Sequence, residues 1–150
     1  MKLLKLTAIV LFVSVFTACK KDGQEETPEL PEPIVGDIEI GLNNNETGII
    51  GRDFHFNASV LAATKIEYVK IVIQPITGET YSKPWKHELS WPEYKDAKNA
   101  NIHKHFDIPE TAAEGKYDFL IVVKDQNGST LELKKNITIY SPDNRLTGNN

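Results

Sequence analysis

The sequence predicts an all-β fold, an antiparallel β-sandwich of about seven short strands over residues 34–141. Apolar and polar residues alternate with a period of two from Ile34 onward, which places successive side chains on opposite faces of a strand. Segments rich in turn-forming residues separate these runs, and no window sustains an amphipathic helix of useful length. A chain of 150 residues fits one such domain with short extensions.

The apolar positions outline the strands in chain order. The strands are expected near residues 38–42, 54–60, 65–74, 102–108, 117–123, 131–133 and 137–139. In the first of them, Ile38, Ile40 and Leu42 are expected to share one face. Residues 43–48 are expected to form a loop. The Asp-Gln-Asn-Gly sequence at residues 125–128 is typical of a hairpin turn.

The stretch from Pro109 to Gly128 makes the type of sandwich more specific. A Gly-x-Tyr sequence enters its strand and an Asp-x-x-Gly sequence leaves it. This stretch resembles the late hairpin of bacterial immunoglobulin-like and fibronectin-III-like modules. The resemblance implies an immunoglobulin-like sandwich rather than a small barrel.

Residues 1–18 are expected to be a lipoprotein signal peptide. A short basic start precedes an apolar run of about eleven residues, which is too short to span a bilayer. The sequence Phe16-Thr-Ala-Cys19 resembles the lipobox of bacterial lipoproteins, with Phe16 in place of the more usual Leu. The resemblance implies cleavage before Cys19, a diacylglyceryl thioether on its sulfur and an acyl group, such as palmitate, on its new amino terminus. The alternatives are a retained membrane helix and a free thiol beside an ordinary cleavage site.

Residues 19–33 and 142–150 are expected to lie outside the folded domain. The first segment is polar, acidic and rich in proline, so it cannot bury enough apolar surface to fold and is expected to be a spacer. Similar acidic stretches after a lipidated cysteine look like the surface-export signals of some Gram-negative lipoproteins. We therefore expect a protein of the cell envelope, anchored by lipid to the outer membrane, on either its periplasmic or its exposed face. Residues 142–150 are expected to be a flexible tail.

The charge argues against nucleic acid as a partner, and the cysteine count excludes a disulfide within the chain. The formal charge is −4 and the basic residues form no cluster, which argues against nucleic acid as a ligand. The single cysteine, Cys19, rules out a disulfide within the chain.

One strand carries a candidate metal site. His103 and His105 stand two residues apart, so both side chains leave the same face, with Asp107 next along it. Imidazole pairs of this kind can bind zinc or copper. The candidates for a third ligand lie elsewhere in the chain and are His55, His87 and Glu88. All four histidines are expected on polar faces or in loops, and the alternative is a polar outer face that binds no metal.

A long aromatic connection is the second candidate site. Residues 76–101 contain both tryptophans of the chain, and a connection of this length either contains a strand or has a function of its own. Its aromatic residues are Tyr81, Trp85, Trp91 and Tyr94. Exposed aromatic rings can stack on sugars or anchor a protein partner. The alternative is that Trp85 and Trp91 cover one end of the core, or that Trp85 faces inward from a strand.

Three features together extend the resemblance to nearly the whole chain. The lipobox, the acidic spacer and the segment Ile-His-Lys-His-Phe-Asp-Ile-Pro at residues 102–109 are similar to those of a family of uncharacterised single-domain immunoglobulin-like lipoproteins from gut-type Gram-negative anaerobes. The resemblance implies the fold and the anchor, and no activity. Many members of that family carry further histidines after the third strand, where this chain has Gly-Glu-Thr-Tyr-Ser-Lys at residues 78–83.

No motif for catalysis is present. The sequence has no glycine-rich phosphate loop, nucleophile elbow, His-Glu-x-x-His or cysteine pair. We therefore expect a non-catalytic binding or accessory module without a cofactor, held at a membrane by lipid and contacting a protein or glycan partner. A zinc- or copper-binding lipoprotein that uses His103 and His105 is the alternative. Recognition of a glycan or protein through the segment from Trp85 to Tyr94 is a further one.

Overall fold

The computed structural model describes residues 29–144, which form eight β-strands and two short 3-10 turns without an α-helix. The strands are β1 (Ile34–Ile40), β2 (Thr47–Ile49), β3 (Asp53–Leu61), β4 (Ile66–Pro75), β5 (His87–Trp91), β6 (Asn99–Asp107), β7 (Gly115–Asp125) and β8 (Thr130–Tyr140). The prediction of an all-β fold is confirmed.

The strands form two sheets that pack face to face. One sheet has the order β1-β3-β6 and the other the order β2-β8-β7-β4-β5. Their inner faces share one apolar core, as in an immunoglobulin-like sandwich. Paired strands run antiparallel except β2 and β8, which run parallel. The predicted sandwich is therefore confirmed, with one parallel pair and one strand more than the seven expected.

Two strands arise where the sequence showed no clear alternation. β2 lies partly inside residues 43–48, which we predicted to be a loop, because three residues there pair with the end of β8. β5 lies inside the aromatic connection and pairs with β4 along the edge of the larger sheet. Both strands depend on a neighbour that is distant in sequence, so local pattern alone did not reveal them.

The core follows from the alternation along β3 and β4. The inward residues of these two strands are almost completely buried, and they are Phe54, Phe56, Ala58, Val60, Ile66, Val69, Ile71 and Ile73. The residues between them on β3 face outward and are only partly buried. This outward face of the smaller sheet is where the candidate site lies.

β7 departs from simple alternation because it is buried on both faces. Its central position between β4 and β8 places Leu120 and Val122 against Val72 on the outer side of the larger sheet, where Tyr68 packs beside them. These apolar side chains form a second, small cluster that is only 5–7% exposed. A central strand that is covered on both sides reads as a continuous apolar run, as residues 119–123 do.

Tyr117 at the start of β7 confirms the resemblance of the late hairpin to immunoglobulin-like modules. Its hydroxyl donates a hydrogen bond of 2.9 Å to the carbonyl of Ala113, four residues upstream, which is the tyrosine corner of such sandwiches. Burial raises the pKa of Tyr117 to about 12. Gly115 is needed here because its φ is +146° and a Cβ atom would lie 2.8 Å from the ring of Tyr81.

β1 contains a bulge that changes which of its residues face the core. Gly36 pairs with Ser59, but Glu39 pairs with Asn57, so β1 holds one residue more than β3 over this stretch. Asp37 lies in the bulge with a φ of +48° and accepts a hydrogen bond from Ser59. Our expectation that positions 38, 40 and 42 share one face is wrong, because Leu42 lies beyond the strand and is 66% exposed.

Several expectations concern residues outside the described part of the chain. The signal peptide at residues 1–18, the lipidated Cys19, most of the spacer at 19–33 and most of the tail at 142–150 lie outside residues 29–144. Within the described residues, no helix is long and apolar enough to cross a membrane.

Candidate metal centre

Three histidines meet on the outer face of the smaller sheet. His55 on β3 pairs directly with His105 on β6, and Asn57 pairs with His103. His55 lies between Phe54 and Phe56, whose side chains fill the core, so its own side chain must face outward. The antiparallel register then brings all three imidazoles together.

The rings of His55, His103 and His105 form a compact triangle. Their centroids lie 4.9 to 5.2 Å apart, and each pair meets edge to face. Each ring offers one nitrogen, and these three atoms all lie within 4.8 Å of one another. The shortest separation joins Nδ1 of His55 to Nε2 of His105, at 3.3 Å.

Two carboxylates contact the outer nitrogens of this triangle. Asp53, at the start of β3, lies 2.7 Å from Nδ1 of His105. Glu39 on β1 lies 3.5 Å from Nε2 of His55. The second oxygen of Glu39 accepts a hydrogen bond of 2.9 Å from the backbone N–H of Asn43, which holds the carboxylate in place. Carboxylates in such positions orient metal-binding imidazoles and make them more basic.

The bulge in β1 is the reason that Glu39 reaches the site. Before the bulge, Val35 pairs with Val60 and faces inward. A regular strand would bring position 39 to that same inward face, because faces alternate with a period of two. The extra residue reverses this order, so that Glu39 faces outward beside His55 and Ile40 enters the core.

The triangle is partly shielded on one side and open on the other. The side chain of His55 is 11% exposed, whereas that of His105 is 49% exposed. A cavity of about 160 Å³ borders both rings. Its other lining residues include Thr47, Ile49 and Asp53. A small ligand can therefore reach the imidazoles from solvent.

The structure brings together three of the six residues that we considered for a metal site. His103 and His105 are joined by His55, one of the proposed third ligands. Asp107 lies farther along β6 opposite Asp53, and among the described residues no contact joins it to the histidines. The carboxylate that does contact His105 is Asp53, which the Asp-x-His spacing at residues 53–55 could have indicated.

His87 is not part of the cluster, and our expectation that it lies on a polar face or in a loop is wrong. It pairs with the buried Ile73 on the inner side of β5. Its ring stacks on Trp85 at 5.9 Å and lies 6.2 Å from Phe106. Burial lowers the pKa of His87 below its usual value. The three clustered histidines therefore lie on the outer face of the smaller sheet, whereas His87 lies near the inner face of β6. Glu88, the residue after His87, pairs with Lys70 on the outer side of the larger sheet.

The aromatic connection packs into the fold rather than presenting rings to solvent. Trp85 is 8% exposed and meets the ring of Tyr117 edge to face at 5.1 Å. The ring of Tyr81 also packs against Tyr117, at 4.8 Å, and its hydroxyl accepts a hydrogen bond from the backbone N–H of Ile76. These contacts agree with the alternative that the tryptophans cover the core.

The later half of the connection is also held by contacts within the chain. Trp91 stacks on Phe56 at 5.8 Å. Lys104 lies over the rings of Trp91 and Tyr94, at 5.9 and 5.1 Å, and pairs with Glu93. A ligand surface made of Tyr81, Trp85, Trp91 and Tyr94 would require exposed faces that the core and Lys104 occupy.

Comparisons with known proteins supply a family. A family model described as a domain of unknown function, DUF4625, matches residues 17–140. No curated protein matches the chain. The chain is similar to the structure of OgpA from Akkermansia muciniphila, with 16% identity and a TM-score of 0.49 over 74% of this chain and 29% of that one. It is also similar to Spo0M, a sporulation control protein from Bacillus subtilis, with 11% identity and a TM-score of 0.47 over 73% of this chain and 50% of that one. The chain thus spans half or less of the length of these two proteins.

Proposed function

The chain belongs to the DUF4625 family, and we propose that its sandwich is a non-catalytic module that binds one divalent transition-metal ion. The ligands are the imidazoles of His55, His103 and His105. One observation carries this proposal, which is that a nitrogen from each ring lies within 4.8 Å of the other two. Nitrogens bound to one zinc ion lie at most about 4 Å apart, so small side-chain rotations complete the site.

The donor set selects the class of metal. Imidazole nitrogens suit zinc, copper and nickel, whereas calcium and magnesium require oxygen ligands. The charge around the cluster favours a cation, because the carboxylates of Asp53 and Glu39 lie at its edge.

Titration calorimetry of the purified, metal-free chain tests the proposal. We expect one equivalent of Zn²⁺ or Cu²⁺ to bind, and His103→Ala to lower the affinity at least 100-fold, since a zinc site that loses a ligand loses much of its binding energy (on the order of 3 kcal/mol or more). His87→Gln is the matched control, because His87 is a histidine of the same sandwich outside the cluster. Equal zinc binding by the chain and by His103→Ala would refute the proposal.

We also propose that this module works at a membrane surface, tethered through Cys19. The support is in the sequence, where an apolar leader ends in Phe16-Thr-Ala-Cys19 and a polar spacer follows. In a host that processes lipoproteins, the chain should label with palmitate and fractionate with membranes. Cys19→Ala should remove both properties while leaving zinc binding intact. An unlabelled, unprocessed chain would refute the anchor and leave the metal site standing.

A further inference from the structure

We infer that the centre holds its ion in a tetrahedral arrangement with three imidazole nitrogens, and that the fourth position takes a small exogenous ligand, an anion or water. This inference rests on the proposed metal-binding function. It concerns the geometry of the same site and the class of molecule that completes it.

The two carboxylates determine which nitrogens face the ion. Asp53 lies where it can accept a hydrogen bond from Nδ1–H of His105, the tautomer that leaves the lone pair on Nε2 for a metal. Glu39 lies 3.5 Å from Nε2 of His55, and a proton on that nitrogen leaves the lone pair on Nδ1. These two free nitrogens are the pair that lies 3.3 Å apart. Two lone pairs at that distance repel each other unless a cation, either a proton or a metal ion, lies between them.

The separation of the two nitrogens matches one coordination geometry. With bonds of 2.0–2.1 Å, ligands at a tetrahedral angle lie about 3.3–3.4 Å apart, whereas neighbouring ligands in a square plane lie about 2.9 Å apart. The 3.3 Å between His55 and His105 agrees with the tetrahedral value. A nitrogen from each of the three rings lies within 4.8 Å of the others, so a small rotation of His103 completes the same geometry. Zn²⁺ and Co²⁺ adopt this geometry in nitrogen sites, whereas Cu²⁺ favours the square plane.

The described residues offer no fourth protein ligand. The three histidines are the only group of potential ligands, within residues 29–144, that lie close enough to share an ion. Asp53 is engaged by His105, and Glu39 by Asn43 and His55. Three protein ligands and one open position are the pattern of zinc sites that bind an external molecule.

The space beside the cluster suits a small molecule. The cavity that borders His55 and His105 has a volume of about 160 Å³. Pockets for drug-sized ligands measure roughly 300–1,000 Å³, and this smaller cavity has room for a carboxylate, an azide or a few waters. The bound ion supplies the positive charge, because neutral imidazoles add none.

Replacement of zinc by Co²⁺ tests the geometry directly. We expect the cobalt-loaded full chain to show the intense visible absorption of a four-coordinate ion, and titration with azide or acetate to shift this spectrum in a saturable way with one anion per cobalt. The weak absorption of six-coordinate cobalt would overturn the tetrahedral assignment. A strong spectrum that no anion changes would overturn the open position. Failure to bind either ion would instead refute the metal-binding function itself.

A pair of aspartates on the same face tests the role of Asp53 as a positioning residue. Asp53→Asn should lower zinc affinity roughly 10–100-fold, the loss expected when a carboxylate behind a ligating imidazole is removed. The cobalt spectrum should remain that of a four-coordinate ion, because no ligand has changed. Asp107→Asn is the matched control and should bind as the unmodified chain does. If the two variants bind equally well, Asp53 has no positioning role.

Discussion

β6 and the aromatic segment from Tyr81 to Tyr94 differ in where they direct their unusual side chains. β6 directs its histidines to solvent, and the aromatic segment directs Trp85 into the core. On β6, His103 and His105 face outward and meet His55 of the neighbouring strand. In the aromatic segment, Trp85 turns inward between the sheets. The exposed histidines of the first region offer nitrogen ligands and bury little apolar surface. The second region contributes buried apolar area to the core. The role of an unusual side chain therefore depends on the face from which it leaves its strand.

The largest effect is expected from the aromatic region. Trp85→Ala should lower the free energy of unfolding by about 3–5 kcal/mol, because it removes a buried ring and leaves a cavity against Tyr117. Urea denaturation followed by far-UV circular dichroism measures this loss. Lys86→Ala, at the exposed neighbouring position, should change stability by less than about 0.5 kcal/mol. An unchanged midpoint for Trp85→Ala would mean that the ring is not part of the core.

The histidine region should affect stability only through its metal. Zinc at 100 times its dissociation constant should raise the free energy of unfolding by about 2.7 kcal/mol, since it binds the folded chain alone. His55→Ala should remove this increment, and His87→Gln should retain it whatever its own stability. Thermal unfolding with and without zinc gives both values. An equal increment in His55→Ala would place the metal elsewhere.

As the pH falls, the histidine region should release its metal before the core unfolds. Bound imidazoles must be neutral, so zinc should dissociate as the pH falls from about 7 to 5. The metal-free fold should persist to lower pH. Burial opposes the charge of Asp125, but hydrogen bonds from Thr64 and from the backbone of Asn127 outweigh it and lower the pKa of Asp125 to about 2 from an ordinary value of 3.8.

The sign of the Asp125 contribution follows from that lowered pKa. Its stabilising effect is fully present above pH 3.8 and is lost as the pH falls through about 2, because the carboxylate must then take up a proton. Circular dichroism during acid titration, with and without zinc, should show metal release well before unfolding. Asp125→Asn should flatten the pH dependence of stability between pH 4 and about 2. Coincident loss of metal and fold would contradict this order.

The smallest effect is expected where the two regions touch. Lys104 lies between the two histidines in sequence but on the opposite face, over Trp91 and Tyr94. Lys104→Ala should cost roughly 0.5–1 kcal/mol of stability through lost cation–π and ion-pair contacts. Zinc affinity should stay unchanged, and a tenfold change in calorimetry would show that the faces are coupled.

The alternation of apolar and polar residues predicted most of the strands. Alternation predicted β3, β4 and β6, because an apolar residue at every second position is required wherever one face of a strand is buried. β7 is buried on both faces, and the apolar run at residues 119–123 indicated it. Alternation missed β5, a strand of five residues in which Leu89 and Trp91 are the two apolar residues that face inward and a polar His87 takes the third inward position. It also misplaced Leu42, which follows the bulge and leaves the strand.

The candidate site was predicted only in part. The spacing of His103 and His105 placed both on one face, and that local inference needs no partner strand. His55 was one of several possible third ligands, since 50 residues separate it from His105 and spacing along one strand says nothing about pairing. Glu39 lay beyond prediction, because its outward orientation depends on a bulge that adds one residue to β1.

Local sequence accounts for the all-β class, the outward face of the histidine pair and, at residues 16–19, the motif on which the proposed anchor rests. These properties depend on neighbours along the chain, and a period of two expresses the first two directly. The pairing of β3 with β6 that sets His55 opposite His105, and the entry of Trp85 into the core, depend on contacts between residues that are distant in the sequence. Strand register is set by the packing of distant side chains, and a shift of one residue would have sent His55 to the other face.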